Sequence, residues 1–183
     1  MTGRSKRFLA PETLDEAARE VALLAHDERV PVALIGGYAL QLYGSTRLTG
    51  DVDVVAGQII EALPDGEPLS FGGIQTESPN GVPIDLVLRD DDYAKLYEEA
   101  LVRAVDLQDA PMPVVRLEYL AAMKMGAGRA RDEADLEWII LRSGVDLPET
   151  RRIVRKYLGT YAAREFDHIV EEARWKSSHG RAE

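Results

Sequence analysis

The chain has 183 residues, of which 45% are hydrophobic and 30% are charged, so it can bury a substantial core as one or two domains. It contains no cysteine, which excludes disulfides and thiolate chemistry, and its net charge of −10 argues against non-specific binding to nucleic acid. No apolar run reaches the length of a signal peptide or the roughly 20 residues that span a bilayer, so we expect a cytoplasmic protein without a membrane partner.

The chain begins with signals for a helix, a strand, a second helix and a second strand. Residues 11–28, PETLDEAAREVALLAHDE, have apolar residues at helical spacing. Residues 31–35, PVALI, predict a strand that ends at Gly36 and Gly37, and YALQLYG then predicts a short helix. Residues 51–56, DVDVVA, alternate acids with apolar residues and predict a strand that pairs with the first one.

A β-hairpin is predicted next, within residues 70–89. Two strand-like runs, SFGGIQTE and VPIDLVLR, lie on either side of the pair Asn80-Gly81, which is a strong signal for a tight turn between strands. A charged helix, DDDYAKLYEEALVRA, follows, and a short strand is expected near Val114.

Two domains are predicted, an α/β core over residues 1–115 and a helical unit over residues 116–183, because the pattern from Leu117 onward is helical almost throughout. The first 115 residues hold 9 Lys and Arg against 20 Asp and Glu, whereas the remainder holds 13 against 12. We therefore expect an α/β (α+β) fold, with a mixed β-sheet flanked by helices and followed by a C-terminal helical bundle that can present a basic face.

Two carboxylates interrupt the valine strand. Because side chains alternate along a strand, Asp51 and Asp53 share one face and repel each other by about 2 to 3 kcal/mol at an effective dielectric constant near 20. A divalent cation would remove this repulsion, and Mg²⁺ prefers carboxylates together with water and substrate phosphates. Asp85, in another apolar strand, supplies a third carboxylate if the strands are neighbours. A strand that is simply half exposed to solvent gives the same pattern.

The glycine pair after the first strand indicates a second kind of contact. Without side chains, Gly36 and Gly37 let backbone N–H groups approach a phosphate at the start of a helix, although a tight turn alone also uses glycine. Arg47 and Thr49 lie between this helix and the acidic strand. Arg47 is therefore a candidate triphosphate ligand, with an exposed loop arginine of no special role as the alternative.

This combination of motifs resembles the nucleotidyltransferase superfamily, which has the polymerase-β-like fold. The hallmark of the superfamily is a glycine pair, commonly Gly-Ser or Gly-Gly, followed after a short helix by Asp-x-Asp and then by a further strand carboxylate. The matching positions here are Gly36, Gly37, Asp51, Asp53 and Asp85. Many members have serine at the second glycine, so this chain lacks one hydroxyl contact to phosphate.

The resemblance implies a nucleotidyltransferase core in residues 1–115 that uses an NTP, ATP included, and two Mg²⁺ ions. It implies that catalysis and metal binding depend on the three carboxylates: Asp51, Asp53 and Asp85. It also implies that the nucleotide phosphates are bound by the glycine pair and by the segment after the short helix: Gly36, Gly37, Arg47 and Thr49.

A second, less specific block extends the resemblance into the helical unit. Residues 117–139, LEYLAAMKMGAGRARDEADLEWI, are similar to the Lys-x-x-Ala, Arg, Asp-x-x-Asp segment of small bacterial toxin nucleotidyltransferases of the AbiEii and MenT kind. This match implies that Lys124 contacts nucleotide phosphates and that Asp135 lies near the active site, acting on the acceptor or holding Lys124. By residue type alone, Lys124 is also compatible with a solvated helix face, and Asp132 and Asp135 with pairing to a neighbouring arginine.

The acceptor of the nucleotidyl group stays open at this point. The likeness to toxins implies an RNA 3′ end, particularly tRNA, and a cognate antitoxin protein as partner. A protein hydroxyl or a small molecule such as an antibiotic is the other possibility, and a non-catalytic protein-binding module of the same fold is the rival to an enzyme. A basic stripe on one predicted helix suits RNA or is simply solvated: Arg151, Arg152, Arg155 and Lys156.

Overall fold

A computed structural model describes residues 8–179, which form six helices and five strands. This part of the chain divides into two compact units, an N-terminal unit that ends at Val115 and a C-terminal unit that begins at Arg116. Each unit has its own fully buried side chains, among them Leu14, Leu34, Ile84 and Leu96 in the first and Tyr119, Ile139, Ile153 and Phe166 in the second. Within residues 8–179, no helix combines the length and the apolar character needed to cross a membrane.

A mixed five-stranded sheet forms the centre of the N-terminal unit. Its strands are β1 (Val32–Ile35), β2 (Val52–Ala56), β3 (Glu67–Pro68), β4 (Gly73–Glu77) and β5 (Pro83–Val87). Their order across the sheet is β1-β2-β5-β4-β3. Strand β2 runs parallel to β5, whereas all the other neighbouring strands are antiparallel.

Three helices pack on the second strand of this sheet: α1 (Pro11–Glu28), α2 (Gly36–Leu42) and α3 (Ala94–Val102). Helix α1 begins with Pro11, whose fixed φ suits the first helical position, and ends at Arg29, which adopts the left-handed conformation. Its buried residues recur at helical spacing and include Leu14, Val21 and Ala25, so one stripe of the helix faces the core.

The predicted elements of this unit are confirmed, with differences at their ends. The turn at residues 78–81 joins β4 to β5 as the Asn-Gly signal predicts, and Gly81 has a φ of 76°. Helix α2 begins at Gly36 itself, so the glycine pair forms its first turn. Strand β2 begins one residue after Asp51. The two-residue edge strand β3 has no sequence signal, and Val114 forms isolated bridges instead of a strand.

The C-terminal unit is entirely helical where the structure describes it. Helix α4 (Leu117–Ala127) is buried along most of its length, and α5 (Ala130–Arg142) and α6 (Leu147–His179) both pack against it. Helix α6 is interrupted at Gly159, whose backbone angles of φ 91° and ψ 177° lie outside the helical region. The predicted helical character after Leu117 is therefore confirmed.

Candidate active site

A row of paired residues crosses all five strands of the sheet. Ile35 on β1 is the register partner of Asp53 on β2, and Asp53 is the partner of Asp85 on β5. The row continues through Gln75 on β4 to Glu67 on β3. Register partners point to the same face of a sheet, and neighbouring strands lie about 4.8 Å apart. Asp85 therefore lies directly beside Asp53, because β2 and β5 are neighbouring strands.

Neutral polar side chains donate hydrogen bonds to two of the acids. The Gln75 side-chain amide donates a hydrogen bond of 2.7 Å to Oδ1 of Asp85. Thr49, which is buried, donates a hydrogen bond of 2.7 Å from its hydroxyl to Oδ1 of Asp51. Each hydrogen bond restricts the orientation of one carboxylate.

The glycine pair and the acids form one cluster. Gly36 has a φ of 68°, and a Cβ at this position would overlap the Asp53 carboxylate. A Cβ on Gly37 would overlap Nη1 of Arg47 and would lie 2.8 Å from the Thr49 hydroxyl oxygen. The absence of side chains at both glycines therefore lets an acid and a guanidinium approach the start of α2.

Arg47 is held by its backbone as well as by its side-chain position. The Gln41 side-chain amide, on the last turn of α2, donates a hydrogen bond of 2.6 Å to the Arg47 carbonyl oxygen. The Arg47 backbone N–H donates one of 3.3 Å to the hydroxyl of Ser45. The segment that returns from α2 to β2 is thus folded back so that the guanidinium reaches Gly37.

The three carboxylates of the cluster are oxygen donors of the type that Mg²⁺ prefers. Among residues 8–179, no three Asp, Glu, His or Cys side chains are arranged as a ready-made metal site. Asp53 and Asp85 nevertheless form an adjacent pair of carboxylates on one sheet face, with Asp51 next to β2. Mg²⁺ characteristically uses one or two carboxylates and completes its shell with water and substrate phosphates, so the residues fit this ion.

A cleft of about 510 Å³ is lined by residues of α1, of α2 and of the segment that follows α2. Asp15 and Glu12 of α1 contribute acidic groups to it, and Tyr38 donates a hydrogen bond of 3.2 Å to Asp15. Burial, with the negative charge of Asp15, raises the pKa of Tyr38 well above its ordinary value, so its hydroxyl stays protonated. The remaining lining residues are Pro11, Gln41, Leu42, Ser45, Thr46 and Leu48.

Comparison with known families identifies the chain. A family model described as "Nucleotidyltransferase of unknown function (DUF6036)" matches residues 12–180. The chain belongs to this nucleotidyltransferase family. A comparison with curated protein sequences gives no match. Membership confirms the predicted superfamily and the prediction of an enzyme.

Two solved structures resemble this nucleotidyltransferase. The solution structure of the antibiotic-resistance factor ANT(2'')-Ia matches with a TM-score of 0.58 and 15% identity, over 87% of this chain and 98% of that chain. The crystal structure of an antigenic nucleotidyltransferase-like protein from Paracoccidioides brasiliensis matches with a TM-score of 0.52 and 15% identity, over 90% and 95%. These likenesses confirm the predicted fold class, whereas kinship to the AbiEii and MenT toxins stays a prediction.

In the C-terminal unit of the nucleotidyltransferase, Lys124 is buried between two carboxylates. Its Nζ lies 2.9 Å from Oδ1 of Asp132 and 2.6 Å from Oδ2 of Asp135, and both aspartates are buried too. Burial alone would raise the pKa of Asp132, but the hydrogen bond and charge of Lys124, together with Arg129, hold it below its usual range. The predicted link between Asp135 and Lys124 is observed, while the predicted phosphate contact stays untested.

The basic stripe is partly used within the C-terminal unit. Arg151 forms an ion pair of 2.8 Å with Asp167, and Arg152 forms one of 2.7 Å with Glu149. Two of the four basic side chains of the predicted stripe are therefore paired with acids on their own helix.

Two glutamines of this nucleotidyltransferase were not predicted as site residues. Gln75 and Gln41 hold Asp85 and Arg47, respectively, through side-chain hydrogen bonds. Gln75 could be found from sequence only with the strand register, because its partner lies ten residues away on another strand. Gln41 follows Gly37 by four residues, and this spacing on a short helix is a usable signal.

Proposed function

We propose that this nucleotidyltransferase moves a nucleoside monophosphate from an NTP to a hydroxyl group on an acceptor, with Mg²⁺. The observation that carries the proposal is that the Asp53–Asp85 pair lies beside the glycine pair. Candidate metal ligands and a backbone that a phosphate can approach closely therefore lie next to each other. Asp51, Asp53 and Asp85 would hold up to two ions. When bound, Mg²⁺ neutralises the charge that develops on the phosphoryl oxygens.

The bond changes of the proposed reaction balance within the two substrates. The acceptor hydroxyl oxygen bonds to the α-phosphorus, the bond between that phosphorus and the bridging oxygen breaks, and pyrophosphate leaves. The hydroxyl proton passes to a carboxylate, for which Asp85 is the candidate because Gln75 fixes one of its oxygens and leaves the other for the acceptor.

The phosphates are the proposed ligands of the glycine pair and the returning segment. Backbone groups at Gly36 and Gly37 approach the triphosphate, and Arg47 and Thr49 lie against Gly37. A guanidinium suits this role because it can hold two phosphate oxygens at once. Lys124 could contribute to phosphate binding only by giving up one of its two buried ion pairs.

For the acceptor, we favour a small hydroxyl-bearing molecule over RNA, with an antibiotic as the first class to test. The N-terminal unit carries a cleft of about 510 Å³, a size typical of small-molecule sites. Half of the basic stripe is engaged by acids, which weakens the case for a polyanion. One structural relative is described as an antibiotic-resistance factor. An RNA 3′ end, with a cognate antitoxin, is the alternative that the toxin resemblance supports.

The deciding experiment is transfer of label from each α-labelled NTP, with Mg²⁺, to separated pools of RNA, protein and small molecules. We expect one pool to take label and Asp53→Asn to lower the rate by about a hundredfold or more. Asp65→Asn is the control, since Asp65 is an exposed aspartate outside the sheet. Labelling that Asp53→Asn leaves unchanged would refute the assignment of the site, and labelled RNA alone would establish the alternative acceptor.

A further inference from the structure

We propose that Gly37, Gln41 and Arg47 act as one triphosphate-recognition unit, in which Gly37 is the seat of the guanidinium and Gln41 fixes the segment that carries it. This inference rests on the proposed function and extends it, because it assigns nucleotide selectivity to a coupling between three residues. Here Gly37 and Gln41 are positioning residues, whereas Arg47 is the group that touches the phosphates.

The requirement for glycine at position 37 is one of space. Gly36 has a left-handed φ of 68°, but Gly37 is not among the glycines with a positive φ, so its backbone conformation would accept an L side chain. A Cβ at Gly37 would meet the end of the Arg47 side chain first and the Thr49 hydroxyl next. The end of an arginine side chain moves cheaply, so a methyl group here should displace the guanidinium without unfolding the unit.

The position of Arg47 is also set by the helix that begins at the glycine pair. Gln41 follows Gly37 by four residues, which places both on the same side of α2. Its amide nitrogen lies 2.6 Å from the Arg47 carbonyl oxygen, a short hydrogen bond that fixes the peptide just beyond the arginine Cα. One short helix therefore supplies both the surface under the guanidinium and the anchor of its backbone.

A seated guanidinium is suited to select a polyphosphate. Its planar donors can engage two phosphate oxygens, and holding it against Gly37 lowers the entropy lost when the phosphate binds. Next to it, Thr49 connects to Asp51 by a hydrogen bond of 2.7 Å. The phosphate ligand and the candidate metal ligands are thereby held in one fixed arrangement.

The test is a double-mutant cycle on the binding of a non-hydrolysable NTP with Mg²⁺, measured by calorimetry. We expect Gly37→Ala and Arg47→Ala each to weaken binding by about tenfold or more, as loss of a charge-assisted hydrogen bond does. The double variant should bind about as weakly as Arg47→Ala alone, because the guanidinium, which the methyl group would overlap most closely, is already absent. Circular dichroism should show the same fold in all variants.

The matched control for added bulk is Gly57→Ala. A Cβ there would lie 2.7 Å from Cγ of Pro31, so it is crowded by a side chain without involving Arg47. Gly57→Ala should bind nucleotide like the wild type. Gln41→Leu should raise the KM for the NTP by about fivefold or more while changing kcat less, and it should add nothing to Arg47→Ala.

The outcomes separate this inference from the proposed function. If the wild type binds NTP and Gly37→Ala binds equally well, the coupling is wrong and the function stands. If the losses of Gly37→Ala and Arg47→Ala add, the two residues act independently, and the inference is again overturned. If the wild-type chain binds no NTP with any divalent metal, the proposed function fails and takes this inference with it.

Discussion

Two carboxylates of the candidate site each accept a hydrogen bond from a neutral side chain. Asp85 receives a hydrogen bond from Gln75 and Asp51 receives one from Thr49, each of 2.7 Å. A neutral donor can orient a carboxylate without cancelling its charge, which leaves the negative charge available to a cation. By contrast, Lys124 forms ion pairs with two acids of its own helical unit, which balance its charge.

Replacement of Gln75 tests the first of these arrangements. In Gln75→Met, Asp85 loses its hydrogen-bond donor and can turn away from Asp53, so we expect the Mg²⁺ concentration for half-maximal activity to rise about tenfold. Because Gln75 is exposed, the melting temperature should change little. Gln58→Met, at another exposed glutamine, is the control. An unchanged Mg²⁺ dependence would show that Asp85 needs no such support.

Replacement of Lys124 tests the second arrangement. Lys124→Met removes the buried cation that pairs with both Asp132 and Asp135, so we expect a loss of about 3 to 5 kcal/mol in unfolding free energy at neutral pH. Lys176→Met, which removes an exposed ion pair with Glu172, should change the unfolding free energy little. If Lys124→Met instead kept its stability and lost NTP binding, the lysine would be a phosphate ligand.

The same variant predicts a pH dependence. The folded-state pKa of Asp132 lies below its usual value, so its contribution to stability is complete above about pH 4 and is lost as the pH falls through the folded pKa. Without Lys124, burial opposes ionisation of Asp132 and raises the pKa of its carboxyl relative to the wild type. The stability difference between Lys124→Met and the wild type should therefore shrink as the pH falls from 7 toward about 4, as thermal melts at each pH will show.

At the scale of elements, signals within a few residues predict the helices and the hairpin. The sequence does not specify which distant strands pair with each other. Helix α1 and the β4–β5 hairpin have a proline start, helical spacing or an Asn-Gly turn, all within a few residues. The side-by-side position of Asp53 and Asp85 depends on the parallel pairing of β2 with β5, which packing of the whole sheet decides. Strand β3 exists only because Glu67 and Pro68 meet β4.

Helix α6 is interrupted at a single glycine, Gly159, whose backbone is not helical. Gly159 has φ 91° and ψ 177°, a combination that only glycine adopts readily. A Cβ built there has no atom within 4 Å apart from those of the adjoining residues and of the nearby backbone of the same helix. We therefore expect Gly159→Ala to cost about 1 to 3 kcal/mol through backbone strain alone. Thr160→Ala, at the exposed neighbouring position, should be nearly neutral. Equal chemical-denaturation midpoints for both variants would show that the interruption of α6 is not required.

At the scale of the whole molecule, charge is distributed unevenly along the sequence. The net charge is −10, and most of the excess acid lies in the first 115 residues. In the C-terminal unit, Arg151 and Arg152 are paired with Asp167 and Glu149. This distribution opposes the long-range attraction of a polyanion and favours an uncharged or cationic acceptor.

The charge distribution leads to a prediction about RNA. If tRNA contacts only the four basic side chains of the stripe, the plot of log K against log salt concentration should have a slope of magnitude below about 4. Binding at about 0.15 M salt should then be weak, with a Kd above about 10 µM, because so few counterions are released. Fluorescence anisotropy of labelled tRNA between about 0.05 and 0.3 M salt measures both quantities.

Arg155→Ala with Lys156→Ala should flatten the slope further, and Arg103→Ala, on α3 and paired with Glu99, should not. A slope steeper than about 5 would mean that a larger basic surface meets the nucleic acid, and it would move RNA ahead of small molecules as the acceptor.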